Sequence, residues 1–231
     1  MMQINTPDMF DQIRAIITSL FDVPVAVGVT DPGQDQPALM GGEGAHLSQA
    51  LAGRKREFAA GRSAARLAMS ALGHAPCAIP AAVDRAPIWP EGLRGSISHT
   101  ASLCAAVVTD APVWLGLDIE GKEDLNAGLL TTICSQDEID RITGPDHLRL
   151  AKLIFSAKEA AYKAQYPMTG MLFGFDHLDV TVDEQRHEFI ARFVKPAGPF
   201  AVGDTLPGRF DAVAGHIVTA VIARHDSQKG A

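Results

Sequence analysis

Two acids stand two residues apart, Asp118 and Glu120, at the end of the run Val113-Trp-Leu-Gly-Leu-Asp-Ile-Glu120, which reads as a strand. Side chains alternate faces along a strand. Val113, Leu115, Leu117 and Ile119 therefore share one face, and Trp114, Gly116, Asp118 and Glu120 share the other. Gly116, lacking a side chain, leaves room for a ligand beside the two carboxylates. Like charges this close repel unless something positive lies between them, and ligands that are all oxygen select Mg²⁺, Mn²⁺ or Ca²⁺ over zinc. Two solvated acids at a strand terminus are the other reading of the same pattern. A third carboxylate follows in Phe155-Ser-Ala-Lys-Glu-Ala-Ala-Tyr-Lys163, a strongly helical stretch. A helix turns by about 100° per residue, so Lys152, Ser156, Glu159 and Lys163 form a stripe opposite the apolar face, not needed for a core. Without any chemistry, Glu159 and Lys163 would be an i,i+4 surface pair. Ser156-x-x-Glu159 also has the form of a capping box, although the periodic pattern already runs from Leu148 and makes Ser156 interior.

Cations capable of meeting an anionic substrate cluster elsewhere. Arg54, Lys55, Arg56, Arg62 and Arg66 fall in one short segment, enough for a small polyanion such as a nucleotide. A solvated helix face is the alternative. Gly95-Ser-Ile-Ser-His99 places Ser96, Ser98 and His99 near a strand end, where a histidine can equally serve as a hydrogen-bonded structural residue. The formal net charge of −7 argues against a general nucleic-acid binder, which concentrates positive charge.

The elements that must position these groups follow from periodicity. Phe10 to Phe21 and His46 to Leu72 read as helices, the second stopped by Gly73 with Pro76 beyond it. Ser96 to His99, Leu103 to Val108 and Val113 to Ile119 read as three strands of an antiparallel meander. Asp137 to Ile142 is helical, and His147 to Gln165 is a long helix ended by Pro167. Leu178 to Val182, Glu188 to Val194 and Ile217 to Ala223 alternate as strands with turns. The fold class is α+β with two lobes. At 231 residues, 47% hydrophobic and 20% charged, the chain can bury one substantial core or two small ones. Cys77, Cys104 and Cys134 show no metal spacing and sit among small or apolar residues, as free thiols in a reducing compartment do. The start Met-Met-Gln-Ile-Asn-Thr-Pro-Asp has no basic region followed by an apolar one, and no apolar run approaches a bilayer span, so a cytoplasmic location with no membrane span is expected.

Taken in order, Arg54-Lys-Arg-Glu-Phe-Ala-Ala-Gly-Arg62, Pro87-Ile-Trp-Pro-Glu-Gly92, Gly95-Ser-Ile-Ser-His99, Asp118-Ile-Glu120 and Lys158-Glu159 followed by Lys163 resemble the 4′-phosphopantetheinyl transferases of the larger, monomeric type. This is the surfactin- and enterobactin-synthase-associated type, and the resemblance is closest to its siderophore-synthase and mycobacterial carrier-protein members. It covers about Arg54 to Phe175. It implies two similar α+β halves, a pseudo-dimeric fold with the active site between them: residues 1–110 binding coenzyme A, residues 111–231 binding metal and carrier. It further implies Asp118, Glu120 and Glu159 as ligands of Mg²⁺, with Mn²⁺ possible. Lys158 and Lys163 would meet phosphate oxygens, with Glu159 and Lys163 catalytic. Arg54, Arg62, Ser98 and His99 would hold the coenzyme, and Arg85 is the only base between Cys77 and Pro87 to replace a lysine that family members carry before the tryptophan.

The activity implied is transfer of the 4′-phosphopantetheine arm of coenzyme A to a serine of an apo acyl, peptidyl or aryl carrier protein, releasing adenosine 3′,5′-bisphosphate. Such carriers serve fatty-acid, polyketide, nonribosomal-peptide and siderophore synthesis. A Mg²⁺-dependent hydrolase of coenzyme A or a related nucleotide, and a carrier-binding module without chemistry, are the competing classes. Residues 126–132 and 168–175, with Met171, Leu172 and Phe173, are expected to face the carrier unless they pack the core.

Overall fold

The computed structural model describes residues 6–224, which divide after Pro112 into two compact units. The opening residues 1–5, on which part of the leader reading rests, lie outside the described residues.

The first unit is built on three antiparallel strands, β1 (Ala26–Thr30), β2 (Arg94–His99) and β3 (Cys104–Thr109), in the order β1-β3-β2. Central β3 is buried along its whole length. Helix α1 (Thr6–Ser19) precedes β1, and α2 (Ala52–Ala71) crosses the sheet. The crossing is close because a Cβ on Gly28 of β1 would lie 1.9 Å from the carbonyl oxygen of Ala64. Ala64, Ala65, Ala68 and Met69 of α2 fill the interval with Ile79, Leu93, Ala106 and Val108.

In the second unit five antiparallel strands follow the order β4-β8-β7-β6-β5. They are β4 (Val113–Gly121), β5 (Leu178–Asp183), β6 (Glu188–Phe193), β7 (Thr205–Val213) and β8 (His216–Arg224). Short helices α3 (Leu130–Ile133) and α4 (Gln136–Arg141) lead to α5 (His147–Thr169). Its small residues Ala157, Ala160, Ala161 and Ala164 are wholly buried and let the helix approach the sheet closely. Among the described residues no helix is long and apolar enough to cross a membrane.

Four points of the sequence reading require correction. The meander is only a hairpin of β2 and β3, because β4 pairs instead with β8, about a hundred residues on. Strands β1 and β7 escaped the periodicity: β1 is five residues long and buried on both faces, and β7 carries Pro207 and Gly208, which read as turn signals. Nor does Pro167 end the long helix. The chain continues to Thr169 and stops at Gly170, whose φ of 61° belongs to the left-handed cap that glycine accepts without strain. Residues 46–51, expected within a helix, form turns ahead of α2.

Candidate active site

Strand β4 presents Asp118 and Glu120 on one face, and α5 lies over that face. Gly116 shows it: a Cβ there would stand 1.9 Å from the Ala160 carbonyl oxygen. The space left by this glycine is taken by helix backbone rather than by a ligand. The polar stripe of α5 is correspondingly turned toward the sheet, and Ser156 is wholly buried rather than solvated. Asp118 and Thr219 are cross-strand partners, so their side chains emerge together toward Ser156. The Ser156 hydroxyl donates to Asp118 Oδ2 at 2.8 Å and lies 2.9 Å from Thr219 Oγ1. Lys163 Nζ donates to Asp118 Oδ1 at 2.7 Å and to the Leu117 carbonyl at 3.1 Å. Glu120 meets Lys152 Nζ at 2.6 Å.

Electrostatics couple the third acid to this pair. Burial pushes the Glu159 carboxyl above its ordinary range, Lys163 pulls it back, and Asp118 and Glu120 push it up again. Burial likewise raises Glu120, against the hydrogen bond from Lys152 and with the charge of Asp118. Among the described residues no three His, Cys, Asp or Glu side chains converge so as to hold an ion as they stand; Lys163 pairs with Asp118 and Lys152 with Glu120. The donor set nevertheless fits a hard divalent cation: three carboxylates supply only oxygen, and their mutual repulsion is what such an ion relieves.

The first unit brings two other sequence-marked residues together. Arg54, half-exposed in the first turn of α2, donates to His99 Nε2 at 2.8 Å and to Glu57 Oε2 at 3.4 Å, across 45 positions of sequence for the histidine. Glu57 also lies 3.8 Å from His99 Nδ1. An exposed guanidinium beside an exposed imidazole can bind an anion. Arg62 is different. It is buried, its Nε donates to the Ile79 carbonyl at 2.7 Å, and its guanidinium lies 4.2 Å from the Phe58 ring centroid. Burial lowers it to about 10, Glu43 opposes this, and Arg66 and Arg54 add to it, so it remains a cation at neutral pH. Ser98 is buried as well, and Arg85 occupies an exposed turn at φ 73°. No hydrogen bond or ion pair joins Arg85 to Arg54 or His99 among the described residues.

Known proteins resemble the chain over most of its length. Residues 43–109 match the 4′-phosphopantetheinyl transferase N-terminal domain, and residues 115–212 match the 4′-phosphopantetheinyl transferase superfamily. The 4′-phosphopantetheinyl transferase Svp of Streptomyces mobaraensis is 36% identical over 189 residues, covering 78% of this chain and 76% of that protein. The 4′-phosphopantetheinyl transferase PptT of Mycobacterium tuberculosis is 32% identical over 189 residues, 76% of this chain and 82% of its own. The chain belongs to the 4′-phosphopantetheinyl transferase superfamily. Enterobactin synthase component D of Salmonella typhi is 41% identical over 138 residues, 56% of each chain.

In this transferase the expected phosphate contact of Lys158 is corrected. Its side chain is 2% exposed, and Nζ donates to Glu138 Oε2 at 2.7 Å, the Ile133 carbonyl at 2.8 Å and the Phe175 carbonyl at 3.0 Å. An ammonium has three N–H groups, and all three are used. Glu138, wholly buried, also accepts from Ser135 N and Val180 N, each at 2.7 Å. The capping box is therefore Ser135-x-x-Glu138, not Ser156-x-x-Glu159. The first unit repeats the device. Buried Glu43 accepts from Met40 N and Ile79 N, each at 2.8 Å, and from Arg66 at 2.9 and 3.0 Å. Sequence reasoning missed Glu43, Glu57, Glu138 and Thr219. Only Glu138 carried a local signal, the serine three residues before it.

Beside Glu159 lies a cavity of about 280 Å³, walled by Tyr162, Phe173, Phe175 and Leu178. Phe173 packs into the core, edge-on to Tyr162 at 5.3 Å and stacked on His177 at 4.6 Å between ring centroids. Leu172 and Met171 remain exposed, at 68% and 38%, as does Leu129 at 47%.

Proposed function

We propose that the protein transfers the 4′-phosphopantetheine arm of coenzyme A to a serine of an apo carrier protein. The serine oxygen bonds to the phosphorus that bears pantetheine, the bond from that phosphorus to the bridging oxygen breaks, and adenosine 3′,5′-bisphosphate leaves with the electron pair. The observation that carries this reading is the grouping of Asp118, Glu120, Glu159 and Lys163 where β4 meets α5. Asp118, Glu120 and Glu159 would hold Mg²⁺ or Mn²⁺, which when bound neutralises charge gathering on the diphosphate. Glu159 accepts the serine proton, a role favoured by a carboxyl that burial has made more basic. Lys163 adds positive charge beside the breaking bond. Arg54 and His99 grip nucleotide phosphate, while Arg62 supports α2 from within. The apolar wall by Glu159 suits the pantetheine chain, and exposed Leu129, Met171 and Leu172 offer a carrier-facing surface.

Likeness to enterobactin synthase component D makes siderophore-assembly carriers the first acceptors to test. A cytoplasmic site of action suits the free thiols of Cys77, Cys104 and Cys134. The test incubates the protein with coenzyme A, Mg²⁺ and apo carriers and weighs the carriers by mass spectrometry. A serine bearing phosphopantetheine is expected. Adenosine 3′,5′-bisphosphate released at one rate with or without carrier would establish hydrolysis instead, since in-line transfer needs the serine in its transition state.

A further inference from the structure

The pair Lys152–Glu120 is the feature of the carboxylate group that neither the ligand set nor phosphate binding explains. Lys152 sits on α5 two turns before Glu159, and its Nζ lies 2.6 Å from Glu120 Oε2. Both side chains are largely shielded, at 18% and 23% exposure, so the attraction is little weakened by solvent. The same ammonium lies 5.7 Å from the centroid of the Phe155 ring, which supports it on a second side. Lys152 is thus placed as a fixed counter-ion to one of three mutually repelling acids.

We propose that Lys152 is a positioning residue that competes with the divalent cation for Glu120, and so sets how much metal this transferase needs. Without an ion, the lysine balances Glu120 and holds its carboxylate aside. When the ion binds, two positive charges face one carboxylate, and the ammonium on its flexible stem withdraws. Linkage makes the effect reciprocal: whatever the pair contributes while intact is subtracted from metal affinity. This inference rests on the ligand set of the proposed function, though its test does not depend on transfer.

The experiment titrates Mn²⁺ alone into wild-type protein and Lys152→Met, reading free Mn²⁺ by electron paramagnetic resonance. The methionine variant is expected to bind about tenfold more tightly, and Lys152→Arg, which keeps the charge, to stay near wild type. An unchanged or weaker affinity in Lys152→Met, or no binding in either protein, overturns the proposal. Should Lys152→Met fail to fold, a crystal structure of the wild-type protein with Mn²⁺ decides. Lys152 Nζ leaving hydrogen-bond distance of Glu120 supports the competition, and its staying there refutes it. Tighter Mn²⁺ binding in a protein that modifies no carrier would sink the transferase reading and leave this one standing.

Discussion

Replacing Lys158 with methionine separates the two roles open to a lysine next to Glu159. Methionine keeps the stem volume but removes the ammonium that holds Glu138, the Ile133 carbonyl and the Phe175 carbonyl. Glu138 is wholly buried and would keep only its bonds from Ser135 N and Val180 N. Stranding one member of a buried pair costs about 3–5 kcal/mol. In a chain of this length each kcal/mol shifts the melting temperature by about 2–4 °C, so a drop of roughly 10 °C is expected. Coenzyme A affinity, measured by calorimetry below the transition, should stay within about twofold, because no N–H of Lys158 is left to meet phosphate. A drop under about 3 °C, together with a dissociation constant for coenzyme A raised about tenfold, would refute the clamp and return Lys158 to the substrate.

Two further outcomes follow from the site's charges. Burial raises the folded-state value of Glu159, so the folded protein binds that proton more tightly than the unfolded chain does; the stability this provides is present in acid and lost as pH rises through the raised value. In metal-free buffer ionised Glu159 therefore costs stability at neutral pH, and there Glu159→Gln should raise the melting temperature by about 2–4 °C, while with Mg²⁺ supplied it should cut carrier modification about a hundredfold. A lowered melting temperature, or transfer at the wild-type rate, would contradict this. Arg54→Ala should raise the KM for coenzyme A about tenfold without changing the melting temperature. Arg62→Ala should instead lower the melting temperature, since Arg62 holds the Ile79 carbonyl and covers Phe58. The reverse assignment of the two effects in steady-state kinetics and thermal melts would overturn the distinction drawn between them.

Rules of local geometry made part of this transferase legible in its sequence. A period of two sets Asp118 and Glu120 on one face of β4, and a period of 3.6 sets Lys152, Ser156, Glu159 and Lys163 on one stripe of α5. Ordered motifs were enough to point to the family. What such rules leave open is which surface each face meets, because that depends on groups far away in sequence. Gly116 makes room for the Ala160 backbone only because α5 crosses β4 there. Asp118 is held through Ser156 and Thr219, two hydroxyls 63 positions apart, because β4 pairs with β8 instead of with β3. Arg54 and Arg62, alike in one basic run, part company because the first turn of α2 reaches solvent while the third lies beneath Ile79 and Phe58. Lys158 and Lys163, five apart on one helix, likewise face different directions: packing delivers a buried carboxylate from α4 to the first and the strand carboxylate to the second. Sequence decided which side chains share a face, and tertiary packing decided what each face would find, because burial and pairing are properties of the whole folded chain.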